Sequence, residues 1–194
     1  MKNLGLILIG ATLINNLLLI EQIGVCPALH LAAVLRKALK VGLVMTAVMV
    51  LSAGVNWLIY HLLLVPLDFV FLKNLFFVLT VMAISRTALG VADRAGINRG
   101  DFTAGAETLF SANCLLLATT LLVIARDYNF IEAMVYALGG GFGFILVVMI
   151  FVPIRERLDR TPISPSFKGM PIYLVTFSLM ALALLGGAGF LGLD

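Results

Sequence analysis

The sequence carries little charge, and this scarcity excludes most classes of soluble protein. Charged residues make up 12% of its 194 residues, about half of the roughly 25% that is typical of soluble domains. Apolar residues make up 62% of the chain, and its mean hydropathy is +1.13. No long polar segment separates the apolar runs, which excludes a soluble catalytic domain. These properties predict a polytopic membrane protein built almost entirely of spans.

The chain also lacks the motifs that bind large cofactors. It has no glycine-rich phosphate-binding motif, so we expect no nucleotide-binding domain and no complete active site within it. Two cysteines and two histidines cannot build a four-thiolate iron–sulfur site, and no Cys-x-x-Cys pair is present. No cleavable signal peptide is expected, because the N-terminal apolar run lacks a small-residue cleavage site.

Six apolar stretches have the length of a transmembrane helix, which is roughly 17–25 residues. They are residues 4–23, 41–64, 75–91, 108–124, 131–153 and 172–190. We therefore predict an all-α membrane protein that forms a single integral membrane domain over residues 1–194. The fifth stretch contains four glycines between Gly139 and Gly143, and such small residues let neighbouring helices approach closely.

The loop charges predict how this domain is oriented. Ten of the basic residues fall in the second, fourth and sixth polar segments, and only three fall on the opposite side. The ten are Arg36, Lys37, Lys40, Arg86, Arg94, Arg99, Arg155, Arg157, Arg160 and Lys168, and the three are Lys2, Lys73 and Arg126. Because cytoplasmic loops carry an excess of Lys and Arg, we expect both termini to lie outside a bacterial or archaeal cytoplasmic (inner) membrane.

The order of the spans predicts an inverted repeat. Three spans lie in each half, about residues 1–98 and 99–194, and an odd number gives related halves opposite topology. The first and fourth spans are both polar and interrupted, and they occupy corresponding places in the two halves. Interrupted helices in corresponding places are typical of transporter folds whose site lies near the membrane midplane.

Polar side chains in these two spans have two open interpretations. Asn15, Asn16 and Asn113 either form hydrogen bonds between helices or line a cation path. Glu21 is either an ion or proton ligand, as an intramembrane carboxylate suggests, or a solvated group near a helix break. Glu107 more simply marks the wet start of the fourth span.

The two cysteines both lie beside polar steps or helix breaks. Gly24 and Pro27 flank Cys26, where a helix should end and leave backbone groups free. Cys114 follows an Asn near the start of the fourth span. Each cysteine is either a small packing residue or one of two thiolates that complete a [2Fe–2S] cluster with two from a partner. A disulfide is a further option, which no extracellular loop framework supports.

Several motifs together resemble a known family. INNLLLIEQIGVCP at 14–27, Asn113-Cys114, the segment YNFIEAMVYALGGGFGF at 128–144, IRERL at 154–158 and FKG at 167–169 carry the resemblance. They are similar to the A-subunit family of the Rnf complex, the membrane-bound ferredoxin:NAD oxidoreductase. That family is homologous to the E subunit of the sodium-pumping NADH:quinone oxidoreductase, but the Gly-Val-Cys-Pro run looks closer to Rnf.

The resemblance implies a specific role and a specific partner. It implies that Cys26 and Cys114 are ligands of one [2Fe–2S] cluster, shared with a related six-span subunit of opposite topology. Other subunits of the complex would carry flavin and iron–sulfur centres. Electron transfer between ferredoxin and NAD would be coupled to Na⁺ or H⁺ translocation, so the chain would be one subunit of a redox-driven ion translocase.

The sequence departs from the family pattern in two places. Thr108 stands where relatives usually have a proline before the second Asn-Cys, and Glu107 beside it is unusual. Arg86 and Leu89 stand where relatives tend to have a Gln and a Glu late in the third span. These departures bear on the ion path more than on the cluster ligands. An inverted-repeat ion transporter or a scaffold subunit without a redox centre are the alternative functions.

Overall fold

The described part of the chain is a bundle of helices. The computed structural model describes residues 4–14, 16, 23–25, 35–66, 70–94, 114–162 and 167–190. Their elements are α1 (Leu4–Ile9), π1 (Gly10–Ile14), α2 (Leu35–Ile59), π2 (Tyr60–Leu64), a 3₁₀ turn (Val70–Leu72), α3 (Lys73–Arg94), α4 (Cys114–Ala125), α5 (Phe130–Arg160) and α6 (Met170–Phe190). Within those ranges every regular element is helical, which confirms the predicted all-α class for them.

Two described helices are long and apolar enough to cross a membrane. They are Ala38–Leu64, with a hydropathy of 2.0, and Phe130–Arg160, with a hydropathy of 2.4. In contrast, α4 has 12 residues, or about 18 Å at the α-helical rise, against about 30 Å of hydrocarbon. Large apolar side chains cover the outer surface of α3 and α6, where Leu79 is 57% and Leu182 64% exposed. Lipid suits such a surface far better than water does.

The glycine-rich middle of α5 lies between two neighbouring segments. On one side, a Cβ added at Gly139 would stand only 2.8 Å from the Cβ of Ala11 in π1. On the other side, a Cβ at Gly141 would stand 2.4–2.8 Å from three side-chain atoms of Thr46 in α2. Because residues two apart point to nearly opposite faces of a helix, these glycines let α5 approach π1 and α2 at the same time. The sequence-predicted role of this run in close packing is confirmed.

Helix α5 extends beyond the fifth predicted span. The fifth predicted span ends at Pro153, but α5 continues to Arg160, with Pro153 inside it. Proline removes one backbone hydrogen bond and tends to kink a helix rather than always end it. The added turns carry Glu156 and Arg160, which form an ion pair at 2.6 Å, and Phe151 just before them packs against Tyr173 and Phe177 of α6.

Most basic residues with described side chains segregate to one end of the bundle, and Arg86 lies within α3 between the two ends. Helices α2 and α5 are antiparallel, since Gly42 lies against Ile145 while the Trp57 Nε1–H donates to the Tyr128 carbonyl at 2.9 Å. Helix α6 begins beside the end of α5, where the hydroxyl of Tyr173 donates to Asp159. One end therefore carries Lys40, Arg155, Arg157, Arg160 and Lys168, and the other carries Lys73 and Arg126. This separation follows the asymmetry that the loop charges predict.

Candidate functional site

A turn at Gly24 brings the first cysteine segment against the second. Gly24 has φ +92°, a left-handed conformation that glycine adopts without strain. A Cβ at Gly24 would lie 2.8 Å from the Cβ of Leu115, the residue after Cys114. Only glycine therefore fits here, for both backbone and steric reasons. The two polar segments that correspond in the predicted halves meet at this contact.

Cys114 stands at the edge of the core, with a free and exposed thiol. The two residues that follow it, Leu115 and Leu116, are completely buried, and both belong to the main core cluster with Met45 and Phe144. Thr119 adds a hydrogen bond from its hydroxyl to the Leu115 carbonyl at 2.7 Å. These contacts fix α4 in the bundle and leave the thiol outside it. Packing among the described residues thus does not account for Cys114.

The other predicted site residues are only partly within the structure. Cys26, Asn15, Glu21 and Asn113 lie outside the described residues, as do Glu107 and Thr108. Cys26 follows the Gly24 turn by two positions in the chain. Of the two positions late in the third span, Arg86 is exposed on α3, and Leu89 lies in α3 with a side chain outside the described set.

Asn16 forms hydrogen bonds between helices. Its side chain is 2% exposed, and its Nδ2 donates to the Thr12 carbonyl at 3.0 Å and to the Gly143 carbonyl of α5 at 3.3 Å. Gly143 leaves room for the Asn16 side chain, since a Cβ at Gly143 would stand 3.0 Å from the Asn16 Nδ2. This arrangement corresponds to the first of the two interpretations of Asn16, the interhelical hydrogen bond.

A set of buried polar residues was not predicted from the sequence. They are Ser52, Asn56, Ser85, Thr119 and Thr120, and each is at most 1% exposed. A signal was available, because Ser52 and Asn56 are spaced by four in an apolar span and so share one helix face. Thr119-Thr120 likewise interrupts the otherwise apolar sequence of α4.

The described residues supply one of the two thiols that this chain would offer to a shared cluster. Within the described ranges no group of three or more His, Cys, Asp or Glu side chains comes together, so they form no complete metal site. Cys114 offers one accessible thiol, and the Gly24 turn leads directly into the segment that carries Cys26. A [2Fe–2S] cluster takes four thiolates. Two cysteines per chain therefore suit a cluster that a second chain completes.

Comparison with known proteins identifies similar chains over nearly the whole length. Residues 4–192 match the profile of the family described as "Rnf-Nqr subunit, membrane protein". The protein from Syntrophotalea carbinolica is 35% identical over 97% of this chain and 98% of its own. Those from Tolumonas auensis (34%; 97% of each chain) and Aeromonas hydrophila (33%; 95% of each) are similar too. By name, all three are the A-type subunit of an ion-translocating oxidoreductase complex. The resemblance that the sequence motifs indicated is confirmed.

Proposed function

Because this chain belongs to the Rnf–Nqr family of membrane subunits, we propose that it is the A-type subunit of an ion-translocating oxidoreductase complex. In this proposal it carries electrons through the membrane, with Cys26 and Cys114 as two ligands of an intersubunit [2Fe–2S] cluster. The other two ligands come from a related six-span subunit of opposite topology. Ferredoxin and NAD react on other subunits, which hold flavin and further iron–sulfur centres.

The exposed thiol of Cys114 is the observation that carries the proposal. Free cysteine is among the most buried residue types in proteins. Cys114 is nevertheless exposed, although the next two residues in the chain, Leu115 and Leu116, are fully buried. Exposure makes the thiol available to a group that is shared with another chain. The contact between Gly24 and Leu115 supports a second ligand nearby, since Cys26 is two residues beyond Gly24.

The same contact supports an inverted repeat. If the halves are related, the Gly24 turn and the start of α4 hold corresponding positions, and they meet inside the bundle rather than at its ends. The fold is then six spans in two three-helix repeats, with the first and fourth helices interrupted. Interrupted helices that meet near the midplane are the usual place for substrate and ion sites in such folds.

The distribution of charge supports the orientation. The end that carries Lys40, Arg155, Arg157, Arg160 and Lys168 is assigned to the cytoplasm, because positive residues accumulate on that side. Both termini then lie outside the cytoplasmic membrane. With this orientation the contact between Gly24 and Leu115 lies between the two surfaces, where a one-electron carrier would connect centres on either side.

The residues of this chain have defined tasks in that arrangement. The cluster, when bound, supplies one-electron transfer. Gly24 allows the chain to turn tightly against Leu115, and Leu115 and Leu116 anchor α4 in the core so that the neighbouring thiol is held at its edge. Asn16 ties the first helical segment to α5 through the Gly143 carbonyl. Together these contacts hold the Cys114 thiol at the edge of the core, next to apolar side chains.

Cysteine substitution tests the proposal directly. The purified complex is compared with Cys26→Ser and Cys114→Ser variants by low-temperature electron paramagnetic resonance and by iron quantification. We expect each substitution to abolish one [2Fe–2S] signal while the subunits still purify together. Ala118→Ser, one turn further along α4, is the matched control and should keep both the signal and the iron.

The opposite result would refute the cluster assignment. If iron content and all signals persist in both cysteine variants, neither cysteine is a ligand. The inverted-repeat ion transporter or the scaffold subunit would then account for the chain. A variant complex that fails to assemble is replaced by a Cys→Ala variant, whose side chain is closer in polarity to the apolar surroundings.

A further inference from the structure

Five fully buried polar side chains lie on three helices that pack against one another. Helices α2, α3 and α4 are in contact in all three pairs. Ser52 and Asn56 on α2, Ser85 on α3 and Thr119 on α4 are 0% exposed, and Thr120 on α4 is 1% exposed. We call these five residues the junction cluster. They are five of the seven buried polar residues in the described part of the chain.

Of the two α2 members, Ser52 points away from α5 and Asn56 lies at the border of the side that faces α5. Gly54 marks the α5-facing side of α2, because a Cβ there would lie 3.2 Å from the Met134 sulfur. At 3.6 residues per turn, Ser52 and Asn56 are each rotated by about 160° from Gly54. The described helices that pack on the rest of α2 are α3 and α4. Ser52 is therefore buried on the side where those helices lie, and Asn56, about 40° around α2 from Gly42, is buried between that side and α5.

The α3 and α4 members border the same core. Val81 of α3 and Leu115 of α4 belong to one cluster of buried residues that also contains Met49 of α2. Ser85 follows Val81 by four residues and Thr119 follows Leu115 by four, so each shares a helix face with its core neighbour. The junction cluster thus continues the apolar core as a polar region inside the bundle.

Two of its members lack hydrogen-bond partners. Both amide atoms of Asn56 and the hydroxyl of Ser85 are buried without a partner in the described structure. Leaving such groups unsatisfied inside a membrane bundle is unfavourable. Native proteins retain them mainly where water, an ion or a ligand satisfies them. These two residues indicate that the junction holds something besides protein.

The remaining members present oxygen atoms. The Ser52 hydroxyl donates to the Val48 carbonyl at 2.6 Å, and Thr120 donates to the Leu117 carbonyl at 2.8 Å. Thr119 donates in the same way to the Leu115 carbonyl. Because their hydrogens are used on their own helices, these hydroxyls have only lone pairs to offer to the space between helices.

We infer that the junction cluster binds a monovalent metal cation, Na⁺, together with water. Hydroxyl oxygens and the Asn56 amide oxygen are hard, neutral ligands of the kind that such a cation takes. The cluster contains no carboxylate, which Ca²⁺ and Mg²⁺ sites normally use, so the charge of the site suits a single positive charge. The Asn56 amide nitrogen donates to the bound water.

This inference rests on the proposed function, for which it places an ion site on this chain. Its failure is nevertheless separable from the failure of the cluster assignment. The cluster is tested by spectroscopy on Cys26 and Cys114 variants, and Na⁺ binding is tested by a stability measurement that needs no electron transfer. Either result can hold without the other.

The first experiment uses the stabilisation that a ligand confers on the folded protein. The melting temperature of the purified complex is measured with NaCl and with choline chloride at equal ionic strength. We expect Na⁺ to raise the melting temperature of the native complex. Asn56→Leu, which replaces the amide with an apolar group of similar size, should lose this rise. In choline chloride the variant should be at least as stable as the native complex, because it no longer buries an unpaired amide.

The second experiment measures function in the complex reconstituted into vesicles. The Na⁺ concentration that gives half-maximal electron-transfer turnover should rise by about tenfold in Asn56→Leu, as expected for the loss of an interaction with a charged group. Ser85→Ala is a milder second variant and should raise the same half-maximal Na⁺ concentration by less. Asn74→Leu and Thr87→Ala alter exposed polar residues of α3 and should behave as the native complex does.

Several outcomes would overturn the inference. Equal stabilisation of native and Asn56→Leu complexes by Na⁺ places the cation elsewhere. Turnover and vesicle acidification that do not depend on Na⁺ in the native complex show that protons are moved, and the junction is then a water-filled region without a cation. A lower melting temperature of Asn56→Leu in choline chloride shows that Asn56 has a structural partner.

Discussion

The close approach of α5 to α2 predicts how much stability the protein loses when Gly141 is replaced by alanine. Gly141→Ala adds a single Cβ, which would stand 2.4 Å from Cγ2, 2.6 Å from Oγ1 and 2.8 Å from Cβ of Thr46. Thr46 is buried and donates its hydroxyl to the Gly42 carbonyl at 2.8 Å. As a β-branched residue it has little rotamer freedom in a helix, so the two helices must separate.

The cost is isolated by a matched substitution. Gly90→Ala in α3 adds the same atom where nothing lies within 4 Å. Both substitutions gain about 1 kcal/mol of helix propensity, so the difference between them is the overpacking term. That term is about 1–3 kcal/mol, which corresponds to a difference in melting temperature of about 2–12 °C for a chain of this size.

The assay is thermal unfolding of the detergent-solubilised protein, followed by the loss of the monodisperse peak in size-exclusion chromatography. We expect Gly90→Ala to melt at or above the native temperature and Gly141→Ala to melt below Gly90→Ala by the stated difference. Thr46→Ala in the Gly141→Ala background removes the two closest atoms and should recover part of the loss. If Gly141→Ala is as stable as Gly90→Ala, then α2 and α5 do not approach at this glycine.

Four further predictions use the same protein. Asn16→Ala removes the hydrogen bond to the Gly143 carbonyl and should lower stability by about 1 kcal/mol; an unchanged melting temperature would contradict this. Trp57→Phe removes the bond to the Tyr128 carbonyl, and we expect a loss of about 0.5–1.5 kcal/mol in the same assay. Glu156→Gln breaks an exposed ion pair and should change stability by less than about 0.5 kcal/mol, so a larger loss would show that the pair is shielded. A C-terminal alkaline phosphatase fusion should be active and a C-terminal green fluorescent protein fusion dark, because the terminus is proposed to lie outside; the reverse would invert the topology.

Hydropathy predicted the helices well because membrane spans are read from uninterrupted apolar length. The second predicted span and the π2 helix both end at Leu64, and the third and sixth predicted spans lie within α3 and α6. Helix α5 is longer than the fifth predicted span because the apolar run ends at Pro153 while the helix continues through the charged residues that follow. Residues of α5 beyond Pro153 also pack against the core that includes α6. This tertiary contact is not visible in the local sequence.

Burial was much harder to predict than helicity. Residues that face lipid and residues that face the core are both apolar in a membrane protein, so the run of leucines after Cys114 shows no periodic pattern. The exposure of Cys114 next to the buried Leu115 was therefore invisible in the sequence. The contact between Gly24 and Leu115 joins residues that are distant in the chain, and no local pattern encodes it. The motif around Cys26 indicated a helix break, and the left-handed conformation of Gly24 agrees with that expectation.

Helix α4 carries residues of both proposed sites, so substitutions in it can test the two sites separately. Its first residue is the proposed ligand Cys114, and one turn later Thr119 of the junction cluster donates to the Leu115 carbonyl. Leu115 also contacts Gly24. A change at the [2Fe–2S] site that shifts Leu115 should therefore also shift Thr119. If the ion site includes Thr119, Thr119→Val should weaken the Na⁺ dependence of turnover while the [2Fe–2S] signal remains. If Thr119→Val leaves that dependence unchanged while Asn56→Leu alters it, the ion site does not extend to α4, and any coupling must pass through α2 instead.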